Sequence, residues 1–137
     1  MPATTPEKTL CKRIRKTGGR DHHGVTTARF RGGGARKIYR LIDFKRKKDG
    51  ISAEVATVEY DPNRNCFISL LHYADGEKRY IIAPEGLKVA EVIVSGTGSA
   101  PEIGNALPLG ETPLGTINHK LELKPGAGSS IARSTGA

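Results

Sequence analysis

Residues 51–83 read ISAEVATVEY-DPNRN-CFISLLHY-ADGE-KRYIIA, and this stretch decides the fold. In its first ten residues Ile51, Ala53, Val55 and Thr57 fall on one face, with Ser52, Glu54, Ala56 and Val58 on the other. That two-residue period is the mark of a half-buried strand. Asp61-Pro62-Asn63-Arg64-Asn65 is turn chemistry: proline presets one dihedral, and Asp and Asn side chains bond to their own backbone. Cys66 to Tyr73 reads as the next strand, Ala74 to Glu77 as a tight reversal and Lys78 to Ala83 as a further strand. Together they make a meander of hairpins. Pro84 has no N–H to donate and stops the ladder.

Working outward, Lys37 to Phe44 is rich in β-branched and aromatic residues and predicts a strand before the Asp49-Gly50 turn. Val89 to Val94 predicts a short strand, and Thr116 to Leu123 alternates again before Lys124-Pro125-Gly126. Ser95 to Pro113 is irregular. No apolar pattern holds a helical period for ten positions. The chain therefore reads as all-β, a small barrel of five to six short strands. Its expected organisation is a basic Gly-rich arm over 1–35, a barrel over 36–126 and a Gly/Ser-rich linker over 127–137.

Charge separates these parts. Residues 1–50 hold fifteen Lys/Arg against four Asp/Glu, whereas 51–137 hold seven against ten, within a net +8. Positive charge gathered at one end and threaded through glycines points to a polyanion partner. Glycines let a backbone approach a sugar-phosphate chain closely, and arginines offer fork-shaped donors to phosphate oxygens. The run Lys45-Arg46-Lys47-Lys48 follows the first strand, and Arg64 and Arg133 are single cations at loop tips. Aromatic platforms for stacked bases are few: Phe30, Tyr39, Phe67, Tyr73 and Tyr80. Phosphate and sugar contacts to folded RNA suit this composition better than general single-strand binding.

Other chemistries find little support. No run is apolar enough to span a bilayer, and no basic amphipathic helix points to a membrane surface. The four histidines and two cysteines lack zinc-ligand spacing, so no metal and no cofactor is expected, and Cys11 and Cys66 read as free thiols of a reducing compartment. His22-His23 reads as a pair of loop donors. Gly32-Gly33-Gly34-Ala35-Arg36-Lys37 lacks the spacing of a nucleotide loop. Glu54, Glu59 and Glu77 occupy places where charged residues normally face solvent, and no nucleophile–base pair is visible. Neither an enzyme nor a small-molecule binder is expected.

Five blocks carry a resemblance. They are Gly-Gly-Arg-Asp-His-His-Gly at 18–24, continuing to Arg-Gly-Gly-Gly-Ala-Arg-Lys-Ile-Tyr-Arg-Leu-Ile-Asp-Phe-Lys-Arg at 31–46; Val-Glu-Tyr-Asp-Pro-Asn-Arg-Asn at 58–65; Tyr-Ala-Asp-Gly-Glu-Lys-Arg-Tyr-Ile-Ile-Ala-Pro at 73–84; Gly-Asn-Ala-Leu-Pro-Leu at 104–109; and Glu-Leu-Lys-Pro-Gly at 122–126. In this order they resemble the L2 family of large-subunit ribosomal proteins, in its bacterial or organellar branch. The resemblance implies an oligonucleotide-binding (OB) barrel, with 127–137 leading toward a second, SH3-like barrel. It implies a structural constituent of the large subunit that binds large-subunit rRNA beside other ribosomal components, in the cytoplasm or an organelle. RNA contacts would fall on Arg20, His22, Arg29, Arg31, Arg36, Lys37, Arg40, Arg46, Lys48, Arg64 and Arg133. The family often has His where this chain has Phe30 and Ala35. A free-standing single-stranded RNA module and an isolated barrel of weak affinity are the alternatives.

Overall fold

The computed structural model describes residues 5–32 and 37–134. Its strands are β1 (Cys11–Arg13), β2 (Ile38–Arg40), β3 (Ala53–Tyr60), β4 (Phe67–Tyr73), β5 (Lys78–Ile82) and β6 (Val92–Ile93), with short 3-10 turns at Lys8–Leu10 and Leu109–Glu111. The predicted meander is present. β3, β4 and β5 pair antiparallel in sequence order, and β6 joins the far edge of β3. β1 and β2 form a separate antiparallel ribbon. A parallel bridge from Ile42 to Tyr80 carries the chain leaving β2 onto the open edge of β5. Pairing thus runs β1-β2, through Ile42, to β5-β4-β3-β6, and the sheets curl into a small barrel of OB type.

Alternate residues of β4 and β5 feed two clusters. Leu71, Tyr73 and Ile81 pack with Ala53, Val55, Leu87 and Ile93, while Ile68, Leu70 and Tyr80 pack with Leu10, Ile42 and Ala56. The sheet is covered on both faces there, so four successive β4 residues, Ile68 to Leu71, are buried. Gly104 lies against the first cluster with φ +88, where a Cβ would stand 2.7 Å from Ile93 Cγ2, so only glycine lets this loop approach so closely.

The structure corrects the simple alternation of β3. Val55 pairs with Leu71 but Thr57 with Leu70, so Ala56 is an extra residue and a β-bulge. Beyond it the facing is reset: Ala56 joins the second cluster, Val58 the first, and Glu59 turns inward to 1% exposure. Glu59 is therefore not a solvent-facing acid. Its Oε1 accepts the Tyr80 hydroxyl (3.0 Å) and its Oε2 accepts Thr57 Oγ1 (2.8 Å). The same Tyr80 oxygen accepts the Glu7 amide (2.7 Å), and burial raises the phenol above its usual range. Glu7 to Arg13, expected within the arm, is thus tied to the barrel through Tyr80, Leu10 and β1.

Other boundaries move for local reasons. The strand expected over 37–44 keeps only Ile38–Arg40; Asp43 Oδ1 then accepts the Lys45 and Arg46 amides, and Arg46 takes φ 50. The strand expected over 89–94 shortens to Val92–Ile93 because Ala90 has φ 72. No strand forms over 116–123: only Leu121 bridges, to Ile131, while Ile117 is almost fully exposed and nearby Leu114 fully so. Alternation without a neighbouring strand makes no sheet. None of the helices in the described residues is long and apolar enough to cross a membrane.

Candidate nucleic-acid interface

The Asp61–Asn65 turn is built inward from a carboxylate. Asp61 is fully buried, and its Oδ1 accepts the Asn63 backbone N–H (2.9 Å) and side-chain Nδ2 (3.3 Å). This is the local bonding that Asp favours in turns. Asn63 Nδ2 also donates to Ile38 O (3.0 Å), tying the turn to β2. Asp61 Oδ2 is left 3.2 Å from Arg64 Nε, off the N–H axis, so charge rather than a hydrogen bond holds this contact. Arg64 Nη2 donates to the Tyr39 hydroxyl (3.1 Å), and the guanidinium carbon lies 5.7 Å from the Tyr39 ring centre and 5.3 Å from that of Phe44.

A second cation reaches the same ring from the other end of the chain. Residues 120–132 fold back on themselves: Lys120 N donates to Ala132 O (3.0 Å), and Leu121 bridges Ile131. Ser129 N and Oγ both donate to Phe44 O, at 3.0 and 3.2 Å, docking this loop on the chain after β2. Arg133 then places its guanidinium carbon 4.9 Å from the Phe44 ring centre. Arg64 and Arg133 line one open cleft of about 260 Å³ with Asn63, Asn65, Cys66 and Ser134. Cys66 keeps its thiol proton more firmly than usual because it is partly buried. Lys120, within electrostatic reach of Cys66, is pushed down to about 7, first by burial and then by Arg46, so its amine is only partly charged at neutral pH.

The remaining predicted cations divide in two. Arg40 is 5% exposed and donates to Ile38 O (3.3 Å). Arg46 is half-buried; Nε donates to Ser95 Oγ (3.2 Å), and Nη1 and Nη2 to Gly104 O (3.1 and 3.2 Å). Lys48 forms ion pairs with Asp75 and Glu77. Arg46 and Lys48 thus tie the barrel's own loops together, while Arg40 bonds within β2. Arg20, His22, Arg29, Arg31 and Lys37 are exposed; Arg36 lies outside the described residues. Their arm has local order. Thr27 and Ala28 amides both donate to Gly19 O (2.8 and 3.0 Å), and Asp21 Oδ1 accepts the His23 and Val25 amides (2.9 Å each). Gly19, at φ +75, sits where a Cβ would stand 2.5 Å from Ala28 O, which explains a glycine there. The His22 and His23 rings lie 3.8 Å apart, and Phe30 between Arg29 and Arg31 is fully exposed.

Two of the possible stacking platforms, Tyr73 and Tyr80, are core residues, and Tyr39 lies under Arg64. Sequence reasoning missed Phe44, which reads as the end of an apolar run, and Asp61, which reads only as a turn former. A larger cleft of about 430 Å³, around Asp49, Gly96, Glu102 and Asn105, has no Lys or Arg in its lining and suits no polyanion. Among the described residues no group of three or more His, Cys, Asp or Glu could hold a metal.

Comparison with known proteins closes on one family. Residues 7–95 match the family model described as Ribosomal Proteins L2, RNA binding N-terminal domain. The chain is 59% identical, over 136 residues, to the large ribosomal subunit protein uL2 of Cytophaga hutchinsonii; the match covers 99% of this chain and 49% of that protein. The chain thus spans about half the length of the curated relative it matches. A barrel of OB type carrying paired cations, matched over most of its length by that domain, makes this chain a member of the ribosomal protein L2 family.

Proposed function

We propose that this chain binds large-subunit rRNA and serves, beside other ribosomal components, as a structural constituent of the large subunit of a cytoplasmic ribosome. The role is architectural, with no catalytic step. One observation carries the reading: Arg64 and Arg133, far apart in sequence, converge on the Phe44 ring at an open cleft. Guanidiniums already held in place offer paired donors to phosphate oxygens with little further ordering. Exposed Arg20, His22, Arg29, Arg31 and Lys37, with Arg36 of the same arm, would add contacts to the sugar-phosphate chain. Arg40, Arg46 and Lys48 serve the fold instead. The burial of Tyr73 and Tyr80 favours a folded RNA over a single strand read by stacking.

The test is the salt dependence of binding to a large-subunit rRNA transcript. Arg133→Met removes one exposed cation. Asp61→Asn with Arg64→Met removes the other together with its buried counter-charge, while Asn keeps an oxygen for the turn. Each is expected to weaken binding and to lower the slope of log K against log salt by about 0.7–0.9. Wild-type affinity and slope in both would overturn the reading.

A further inference from the structure

Two guanidiniums share the ring of one phenylalanine. With 5.3 Å from Arg64 and 4.9 Å from Arg133 to the Phe44 ring centre, the two carbons stand no more than about 10 Å apart. Like charges at that spacing repel weakly through solvent and gain nothing from each other. What they share is the negative face of an aromatic ring, which attracts a guanidinium within about 6 Å. Phe44 is itself pinned. Ser129 bonds twice to its carbonyl, and Gly128, with φ +94, lies so close that a Cβ there would stand 3.5 Å from Phe44 Cβ and 3.3 Å from Lys45 Cγ. Asp43 fixes the backbone just beyond by accepting the Lys45 and Arg46 amides. Tyr39 contacts Arg64, whereas Phe44 contacts both cations.

We infer that Phe44 is a positioning residue for polyanion binding, its ring holding Arg64 and Arg133 as one preordered pair. This rests on the proposed rRNA-binding function. Arg64 is also held by Asp61 and Tyr39, so without the ring face it is Arg133 above all that would have to be ordered against its partner when RNA arrives, and that ordering opposes binding.

The experiment varies the ring's charge distribution and leaves its shape nearly constant. Mono-, di- and trifluorophenylalanine placed at position 44 weaken the ring face stepwise. Affinity for a large-subunit rRNA transcript at fixed salt is expected to fall stepwise, by about two- to fivefold across the series, with the thermal midpoint unmoved. In an Arg133→Met background the decline should be shallower. Phe44→Tyr should retain affinity, and Phe44→Leu should lose it. A flat fluorine series, or Phe44→Tyr as weak as Phe44→Leu, overturns the inference. If Arg133→Met still weakens binding in that case, the interface reading stands and Phe44 is only packing. If Arg133→Met and the Asp61→Asn/Arg64→Met pair both bind like wild type, the interface reading fails and this inference with it.

Discussion

The loop of residues 45–48 holds four cations and the cleft beside Phe44 two, and the two regions use them differently. In the loop, Arg46 has its guanidinium turned onto Ser95 and Gly104, and Lys48 is held between Asp75 and Glu77. In the cleft, Arg64 and Arg133 lie on aromatic faces at an opening to solvent. Two of the loop's four cations, Arg46 and Lys48, are tied to other parts of the fold, while Lys45 and Lys47 stay exposed. What a polyanion feels is not the count of cations but the number whose donors are still unused once the chain has folded.

Arg64 breaks the comparison most sharply, because it serves both sides. Its partner Asp61 is fully buried, so Arg64→Met alone leaves a carboxylate without its counter-charge and should destabilise the fold by about 3–5 kcal/mol. Adding Asp61→Asn should restore most of that loss. Urea denaturation of the two variants reads the difference, and equal stability would show that Asp61 does not need Arg64.

Arg46 comes next. Arg46→Ala removes three charged donors and leaves Gly104 O short of partners, which should cost about 2 kcal/mol in urea denaturation. The salt slope of rRNA binding should stay at the wild-type value. A lowered slope in a folded Arg46→Ala protein would place this cation in the interface after all.

A smaller effect follows from Lys120. Burial first, and Arg46 second, hold its amine at about 7 against a usual 10.5. Below pH 7 folded and unfolded chains both carry the proton, and the cost of burying the charge is fully present. Between those two values the unfolded chain holds the proton that the folded chain has lost, so the contribution of Lys120 to stability rises with pH across that window. The rise should be on the order of 1 kcal/mol, since the amine keeps some contact with solvent. Lys120→Met should flatten it; the same rise in that variant would place its cause elsewhere.

The same contrast explains what was legible in the sequence. β3, β4 and β5 could be read because alternation and turn residues are local signals, and Asp-Pro-Asn-Arg-Asn and Ala-Asp-Gly-Glu mark both reversals. The bulge at Ala56 could not, since an extra residue leaves no compositional trace; Glu59 reads as solvent-facing from its charge alone, which says nothing of the Tyr80 and Thr57 hydroxyls that meet it inside. Arg64 and Arg133 were each visible as loop-tip cations, but their meeting depends on the fold-back of residues 120–132 onto Phe44. Nothing local marks that. The partners of Arg46 and Lys48 were not legible either, because a charge run says nothing about carboxylates and carbonyls that fold in beside it from elsewhere in the chain.

The most direct test compares two substitutions that each remove one positive charge. Arg133→Met and Lys48→Met proteins would be titrated with a large-subunit rRNA transcript over a range of salt concentrations. The account predicts that the slope falls by about 0.7–0.9 for Arg133→Met and stays unchanged for Lys48→Met. Equal falls in both, or a fall only in Lys48→Met, would contradict it.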